Sequence, residues 1–133
     1  MINAALFGLG RWGSVLLNSI QGADVAKSDK IEITTGIARS LENYQDLASK
    51  TGIELSDDYT DVLADPAIHA VLLATPPFAH AEQIMAAAKA GKHVFVEKPF
   101  TLDVAEAKRA VQACQEAGVV LAVGFNRRYY PSI

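Results

Sequence analysis

Cysteine is nearly absent from this chain: Cys114 is the single one in 133 residues. No internal disulfide can form, which suits a reducing compartment such as the cytoplasm. No stretch approaches the roughly 20 consecutive apolar residues of a membrane-spanning helix. No basic region precedes the first apolar run, so a signal peptide is not expected either. Positive charge is not in excess. Lys and Arg number 12 against 15 Asp and Glu, a net charge of −3, which argues against nucleic acid as a partner. His69, His80 and His93 have no metal-ligand spacing with Cys114, so no zinc site is expected. No serine or cysteine sits in a nucleophile-elbow context. Internal repeats, linkers and low-complexity segments are missing as well. What remains is an ordinary globular composition, 50% hydrophobic and 20% charged. A chain of this length fits one domain and buries roughly two-thirds of its unfolded surface.

Apolar runs alternate with helix-like segments. Ile2 to Phe7 is a short apolar run bounded by glycine, which reads as a buried strand. A helix follows from Arg11 to about Ile20, with Trp12, Val15, Leu16, Ser19 and Ile20 as its expected inner face. Gln21 to Lys30 reads as a loop. Ile31 to Ala38 is rich in β-branched residues and reads as the second strand. Ser40 is the expected cap of a helix from Leu41 to Lys50, which Gly52 ends. Ile53 to Leu55 is a short strand near an edge, and a short helix spans Tyr59 to Ala64. His69 to Ala74 is the fourth strand, followed by a helix from about Ala79 to Ala90. His93 to Val96 is the fifth. Thr101 is the expected cap of the next helix, whose stripe is Val104, Ala107, Val111 and Cys114. Val119 to Val123 is the sixth strand. Strands that are apolar rather than alternating belong to a parallel sheet covered on both faces. The expected fold is α/β: a doubly wound, mostly parallel, six-stranded sheet of the Rossmann kind.

Each strand is followed by residues with chemical potential. Gly8-Leu9-Gly10-Arg11-Trp12-Gly13 is a G-x-G-x-x-G turn between a strand and a helix. Such a turn admits a pyrophosphate to the backbone at a helix N-terminus. A turn that uses glycine for geometry alone is the plain alternative. A methyltransferase loop would carry an acidic residue ahead of the glycines, and Phe7 stands there. After the second strand an NAD site usually places Asp or Glu against the ribose 2′-hydroxyl. This chain has Ala38-Arg39-Ser40 instead. Guanidinium matches phosphate geometry, so the expectation is a preference for NADP over NAD. Ala74-Thr75-Pro76-Pro77 would wall the dinucleotide on the other side of the switch point, with His80 orienting the loop. Glu97-Lys98-Pro99 follows the fifth strand, and a lysine there can take or relay a hydroxyl proton during hydride transfer. Asn126 and Arg127, with Arg128, close the sixth strand on the same rim. They could meet the cofactor, an anionic substrate or a following domain. His69 and His93 start strands at the opposite end and read as structural. Cys114 reads as core.

The segments G-L-G-R-W-G, A-T-P-P-F-A-H, A-G-K-H-V-F-V-E-K-P-F and V-G-F-N-R-R-Y-Y-P together resemble the Gfo/Idh/MocA oxidoreductase family. The resemblance covers nearly the whole chain, and the block Ala90 to Pro99 is its most specific part. It implies an NAD(P)-binding Rossmann domain in residues 1–124. Lys98 resembles the family lysine that contacts nicotinamide and substrate, and is the catalytic candidate. Glu97 would support its loop, and the Lys-Pro bond is often cis in such proteins. Thr75, Pro76 and His80 resemble residues lining the cofactor cleft. Family members also carry a C-terminal α/β domain that supplies most of the substrate pocket, an Asp and a His for proton transfer, and the usual dimer contacts. Residues 125–133 are expected to begin the connection to such a domain, and the 133-residue piece alone is expected to bind dinucleotide with little turnover. The implied reaction moves hydride between a nicotinamide and a sugar, polyol, cyclitol or related hydroxy or keto compound. A non-catalytic dinucleotide-binding regulator is the alternative, and a subunit completed by another chain is a third reading.

Overall fold

Residues 1–132 are described in the computed structural model of the chain; Ile133, the last residue of the expected connecting segment, lies outside them. Six strands form one sheet: β1 (Ile2–Phe7), β2 (Ile31–Ile37), β3 (Glu54–Ser56), β4 (Ala70–Leu73), β5 (His93–Val96) and β6 (Leu121–Val123). Their order is β3-β2-β1-β4-β5-β6, and every neighbouring pair is parallel. The chain therefore reverses its winding between β1 and β4, the switch point at which such sheets bind ligands. Helices α1 (Arg11–Gln21), α2 (Gln45–Thr51), α3 (Tyr59–Ala64), α4 (Pro77–Lys89) and α5 (Val104–Ala117) connect the strands.

The pleat divides the core in two. On β1, Ala5 and Phe7 join one cluster while Ala4 and Leu6 join the other. The first cluster holds Val62 and Leu63 of α3, Ile84, Ala87 and Ala88 of α4, and Ala110 and Cys114 of α5. The second holds Leu17 of α1 and packs against Leu47 and Ala48 of α2. Central strands buried on both faces explain the unbroken apolar runs in the sequence. Burial also pushes the Cys114 thiol above its ordinary pKa, which keeps it in the unreactive protonated form.

Two helices turn a different face inward from the one expected. On α1 the buried residues are Gly13, Leu17 and Gln21, with Leu16 and Ile20 partly covered; Trp12, Val15 and Ser19 face out. The phase is set by Gly13, which has to approach the first turn. On α5 Cys114 is buried as expected, together with Ala110, and Ala107 is partly covered, whereas Val104 is 70% exposed and Val111 also faces solvent. Small side chains let α5 lie close to α4, and valines on that face would hold the two apart.

Element ends shift for equally local reasons. Ser40 makes no side-chain capping bond; a 3₁₀ turn, Leu41–Tyr44, intervenes before α2 begins. Asp103 rather than Thr101 caps α5, its carboxylate accepting from the Glu106 amide at 2.8 Å. Helix α4 begins at Pro77, where the missing amide costs nothing at a first-turn position. The Val119 amide donates to Cys114 O at 3.0 Å to close α5, so β6 starts only at Leu121.

Gln21, expected in a loop, is the last residue of α1 and is buried. Its amide donates to Ile33 O at 2.9 Å and Thr51 O at 3.0 Å, and accepts from Ile33 N at 2.8 Å. The β1–β2 register slips between Ala4 and Ala5, beside Ile33, and Gln21 supplies bonds there. Lys92 is also buried, its ammonium donating to Asp65 O at 2.6 Å and Ile68 O at 2.7 Å below β4. His69 and His93 accept from the amides of Asn3 and Val120 at the N-terminal rim, a structural role as expected.

Replacing Gln21 by Leu strands three buried backbone groups, each costing about 1–3 kcal/mol if unpaired. Urea unfolding of Gln21→Leu is expected to show a loss of at least about 2 kcal/mol. Val15→Ala, on the solvent face of the same helix, is expected to stay within about 0.5 kcal/mol of the parent.

Candidate functional site

The loops after β1, β2, β4, β5 and β6 all leave the sheet at the carboxyl ends of parallel strands, so they share one rim. At its centre the first turn lies directly on the strand beside it. Gly8 has φ +91°, and a Cβ there would stand 2.7 Å from Ala74 O. A Cβ on Gly13 would collide with Gly8 O and touch Ala74 Cβ at 3.5 Å. Both positions therefore exclude any side chain. Gly10 is different: a Cβ there would meet nothing within 4 Å. It is the N-cap of α1 and has no side-chain cap, so the first-turn amides open onto free space. Those amides and the partial positive charge of an 11-residue helix suit a phosphate.

Arg11 and Trp12 occupy the first two helical positions and are exposed, Trp12 by 42%. Leu9 points the other way. Its side chain is buried in the second cluster, and its carbonyl accepts from Ser14 Oγ at 2.9 Å, so only its backbone faces the turn. Beyond β2, the Ala38 amide bonds Ser56 O at 3.1 Å, Arg39 is exposed, and Ser40 is partly covered. No acidic side chain stands in that segment.

On the other side of the switch point the Ala74 amide donates to Phe7 O at 2.8 Å. Thr75 and Pro77 are partly buried and Pro76 is exposed. The Thr75 hydroxyl bonds Gln83 Oε1 of α4, a partner the sequence did not suggest. His80 is 1% exposed. Its Nε2 lies 2.9 Å from Thr75 O, and its Nδ1 lies 3.0 Å from Pro99 O and 3.1 Å from Phe100 O. It stands behind the loops, between them.

Glu97 is buried, while Lys98 and Pro99 are exposed and joined by a cis peptide bond. Glu97 Oε2 accepts from the Lys98 amide at 3.2 Å, and a Cβ on Gly124 would stand 2.9 Å from Glu97 Oε1. A cleft of about 530 Å³ opens beside Lys98, lined by Phe125, Asn126, Arg127 and Arg128. Asn126 and Arg127 belong to a second 3₁₀ turn, Asn126–Tyr129. The Arg128 guanidinium rests 5.3 Å above the ring of Phe125, which was outside the expected site. The signal for Phe125 in the sequence was only its place after the last strand. No group of three or more His, Cys, Asp or Glu among the described residues could hold a metal ion.

The family described as "Oxidoreductase family, NAD-binding Rossmann fold" matches residues 2–125. Scyllo-inositol 2-dehydrogenase (NAD(+)) of Bacillus subtilis is 39% identical over 98% of this chain, which spans 37% of that protein's length. A second protein of that organism, scyllo-inositol 2-dehydrogenase (NADP(+)) IolW, is 41% identical over 57% of this chain and 21% of its own. Among solved structures, myo-inositol 2-dehydrogenase of Lactobacillus plantarum superposes with a TM-score of 0.85 at 28% identity, over 98% of this chain and 38% of that one. The matched residues 2–125 take in the glycine turn, the whole all-parallel six-stranded sheet and the Lys98 loop, and the chain belongs to the Gfo/Idh/MocA oxidoreductase family.

Proposed function

We propose that this chain is the cofactor-holding part of an NAD(P)-dependent dehydrogenase acting on a cyclitol, polyol or sugar. The observation that carries the proposal is the shared rim: the open N-terminus of α1, the Thr75–Pro77 wall and Lys98 all lie at the carboxyl ends of the central strands. The residues present fit a dinucleotide. Space in front of Gly10 leaves room for a pyrophosphate against free amides. When bound, the nicotinamide supplies the site that accepts or gives the hydride. Gly8 and Gly10 shape the phosphate turn, and Arg11 and Trp12 flank it. Ala38 leaves room for a ribose, while Arg39 and Ser40 can bond a 2′-phosphate. Ala74, Thr75, Pro76 and Pro77 form the opposite wall, and His80 holds it. Glu97 supports the loop from which Lys98 takes or relays the proton of the substrate hydroxyl. Asn126 and Arg127 border the cleft on the nicotinamide side.

Residues 1–124 make up the dinucleotide domain in this reading, and 125–133 lead toward a substrate domain. The whole protein would be cytoplasmic and pair through that second domain. A preference for NADP rests on Arg39 and on the missing acid after β2. The relatives' names include both cofactors, so the segment 38–40 is the part to test. Trp12, the single tryptophan, stands at the N-terminus of α1 and provides the signal. Titration by its fluorescence is expected to give tighter binding of NADPH than of NADH. Arg39→Ala is expected to weaken NADPH by about tenfold or more, the worth of a charge-assisted bond, and to leave NADH unchanged. Equal or tighter binding of NADH by the parent protein would remove the NADP preference.

Lys98→Ala separates the dehydrogenase from a dinucleotide-sensing regulator. In the enzyme reading, turnover of inositols or related polyols by the whole protein falls about 10²- to 10⁴-fold while dinucleotide affinity stays nearly constant. A change in affinity alone, with no polyol oxidised by the parent protein, would favour the regulator.

A further inference from the structure

His80 has an unusual set of neighbours for a buried histidine. It is the fourth residue of α4, and its ring is closed off from solvent. The three atoms within hydrogen-bonding distance are the carbonyl oxygens of Thr75, Pro99 and Phe100. Nε2 faces the first and Nδ1 faces the other two. Carbonyl oxygens accept and never donate, so each of these bonds draws on a ring N–H. A neutral ring donates to one loop, and a doubly protonated ring donates to both. An aliphatic residue of similar size would leave these carbonyls without the donor that the ring supplies.

The two loops it faces have separate duties in the proposed function. Thr75 follows Ala74, whose carbonyl lies where a Cβ on Gly8 would fall. That loop is therefore seated on the phosphate turn. Pro99 follows Lys98, whose side chain is exposed beside the 530 Å³ cleft. Lys98 makes no ion pair among the described residues, the one salt bridge being Lys50–Asp46. Its aim comes from the backbone on either side. Glu97 grips the Lys98 amide on one side, and the carbonyl after Lys98 is held by His80.

We propose that His80 is a positioning residue: its imidazole, through Nδ1, ties the backbone at Pro99 and Phe100 to α4, the helix that follows the Thr75 loop, and so fixes Lys98 relative to the phosphate turn. It touches neither substrate nor cofactor. The proposal rests on the assignment of Lys98 and the glycine turn to one cofactor site. Displacement of a reacting group by about 1 Å can cost on the order of a hundredfold in rate, so a tie of this kind bears on chemistry more than on binding.

The test uses three variants and two readouts on the chain itself. An Asn amide nitrogen takes the place of Nδ1, and a Gln amide nitrogen takes that of Nε2. His80→Asn therefore keeps a donor toward Pro99 and Phe100, His80→Gln keeps one toward Thr75, and His80→Leu keeps neither. The first readout is amide hydrogen exchange in the free protein. The Lys98 amide is expected to exchange about tenfold faster in His80→Gln and His80→Leu, and near the parent rate in His80→Asn. Equal Lys98 exchange in all three variants, or acceleration spread evenly over the sheet amides, overturns the proposal. The second readout is the amide NMR response to NADPH. The Gly10 response is expected in every variant, and the Lys98 response in the parent and His80→Asn alone. Loss of the Gly10 and Lys98 responses together also overturns the proposal. If the parent shows no Gly10 response while the exchange pattern holds, the cofactor reading fails and the tie stands.

Discussion

Two backbones meet at the middle of this sheet with no room for a side chain between them. The turn after β1 lies on the carbonyl of Ala74 at the end of β4, and the third glycine of the turn lies on the first. Gly8 meets the constraint with a left-handed φ, and Gly13 meets it by lacking a Cβ. Much follows from that contact. It fixes the start of α1 against the switch point, where both neighbouring strands run the same way and their loops diverge. It sets the rotation of α1, so that Leu17 and Gln21 follow Gly13 inward. It seats the Thr75 loop beside the glycine turn. A methyl group at either glycine would move the helix off the sheet before any ligand arrived.

The strands were legible because burial on both faces leaves little freedom in their composition. β1 and β5 fall where the apolar runs place them, and β2 and β4 differ by a residue or two at their ends. Short helix α3 is bounded as expected, since the Asp58 carboxylate caps it by accepting from Thr60 N and Asp61 N. The inner faces of α1 and α5 were misread in part, Leu16, Ile20 and Cys114 packing inward as expected and the rest not, for one reason. Periodicity locates an apolar stripe, but close approach selects small residues, and hydrophobicity patterns undervalue them. Gly13 outranks Trp12 on α1, and Ala110 outranks Val111 on α5. Gln21 and Lys92 were opaque for the converse reason. A polar residue inside a domain is justified by backbone groups distant in sequence, such as Ile33, Thr51, Asp65 and Ile68, and nothing local announces them.

The rim itself was readable. Five loops carry their distinctive residues to the C-terminal edge, as a parallel sheet requires, and the motif after β5 identified the family. Within those motifs, though, residues of equal prominence divide into two kinds. Arg11, Trp12, Arg39, Lys98, Asn126 and Arg127 are exposed. Leu9, His80 and Glu97 are buried, and the bonds at their positions run to or from neighbouring backbone and side-chain groups. A motif marks both kinds alike. Only the direction of each side chain separates a residue that can meet a ligand from one that aims it.

That division has a physical logic. The phosphate turn presents backbone amides, which are rigid because a helix and a strand hold them. Lysine presents an amine on four rotatable bonds, which is held by nothing comparable. Placing the end of such a side chain requires its backbone to be fixed first. Around Lys98 this falls to two buried polar side chains, a carboxylate gripping the amide before the side chain and an imidazole facing the carbonyl that follows. Both are unusual inside a small domain, because each needs partners with the right donor and acceptor character to be tolerated there. Their presence on either side of one exposed lysine is hard to account for by stability alone. Apolar residues would fill the same space with less desolvation, but they could hold no backbone group in place.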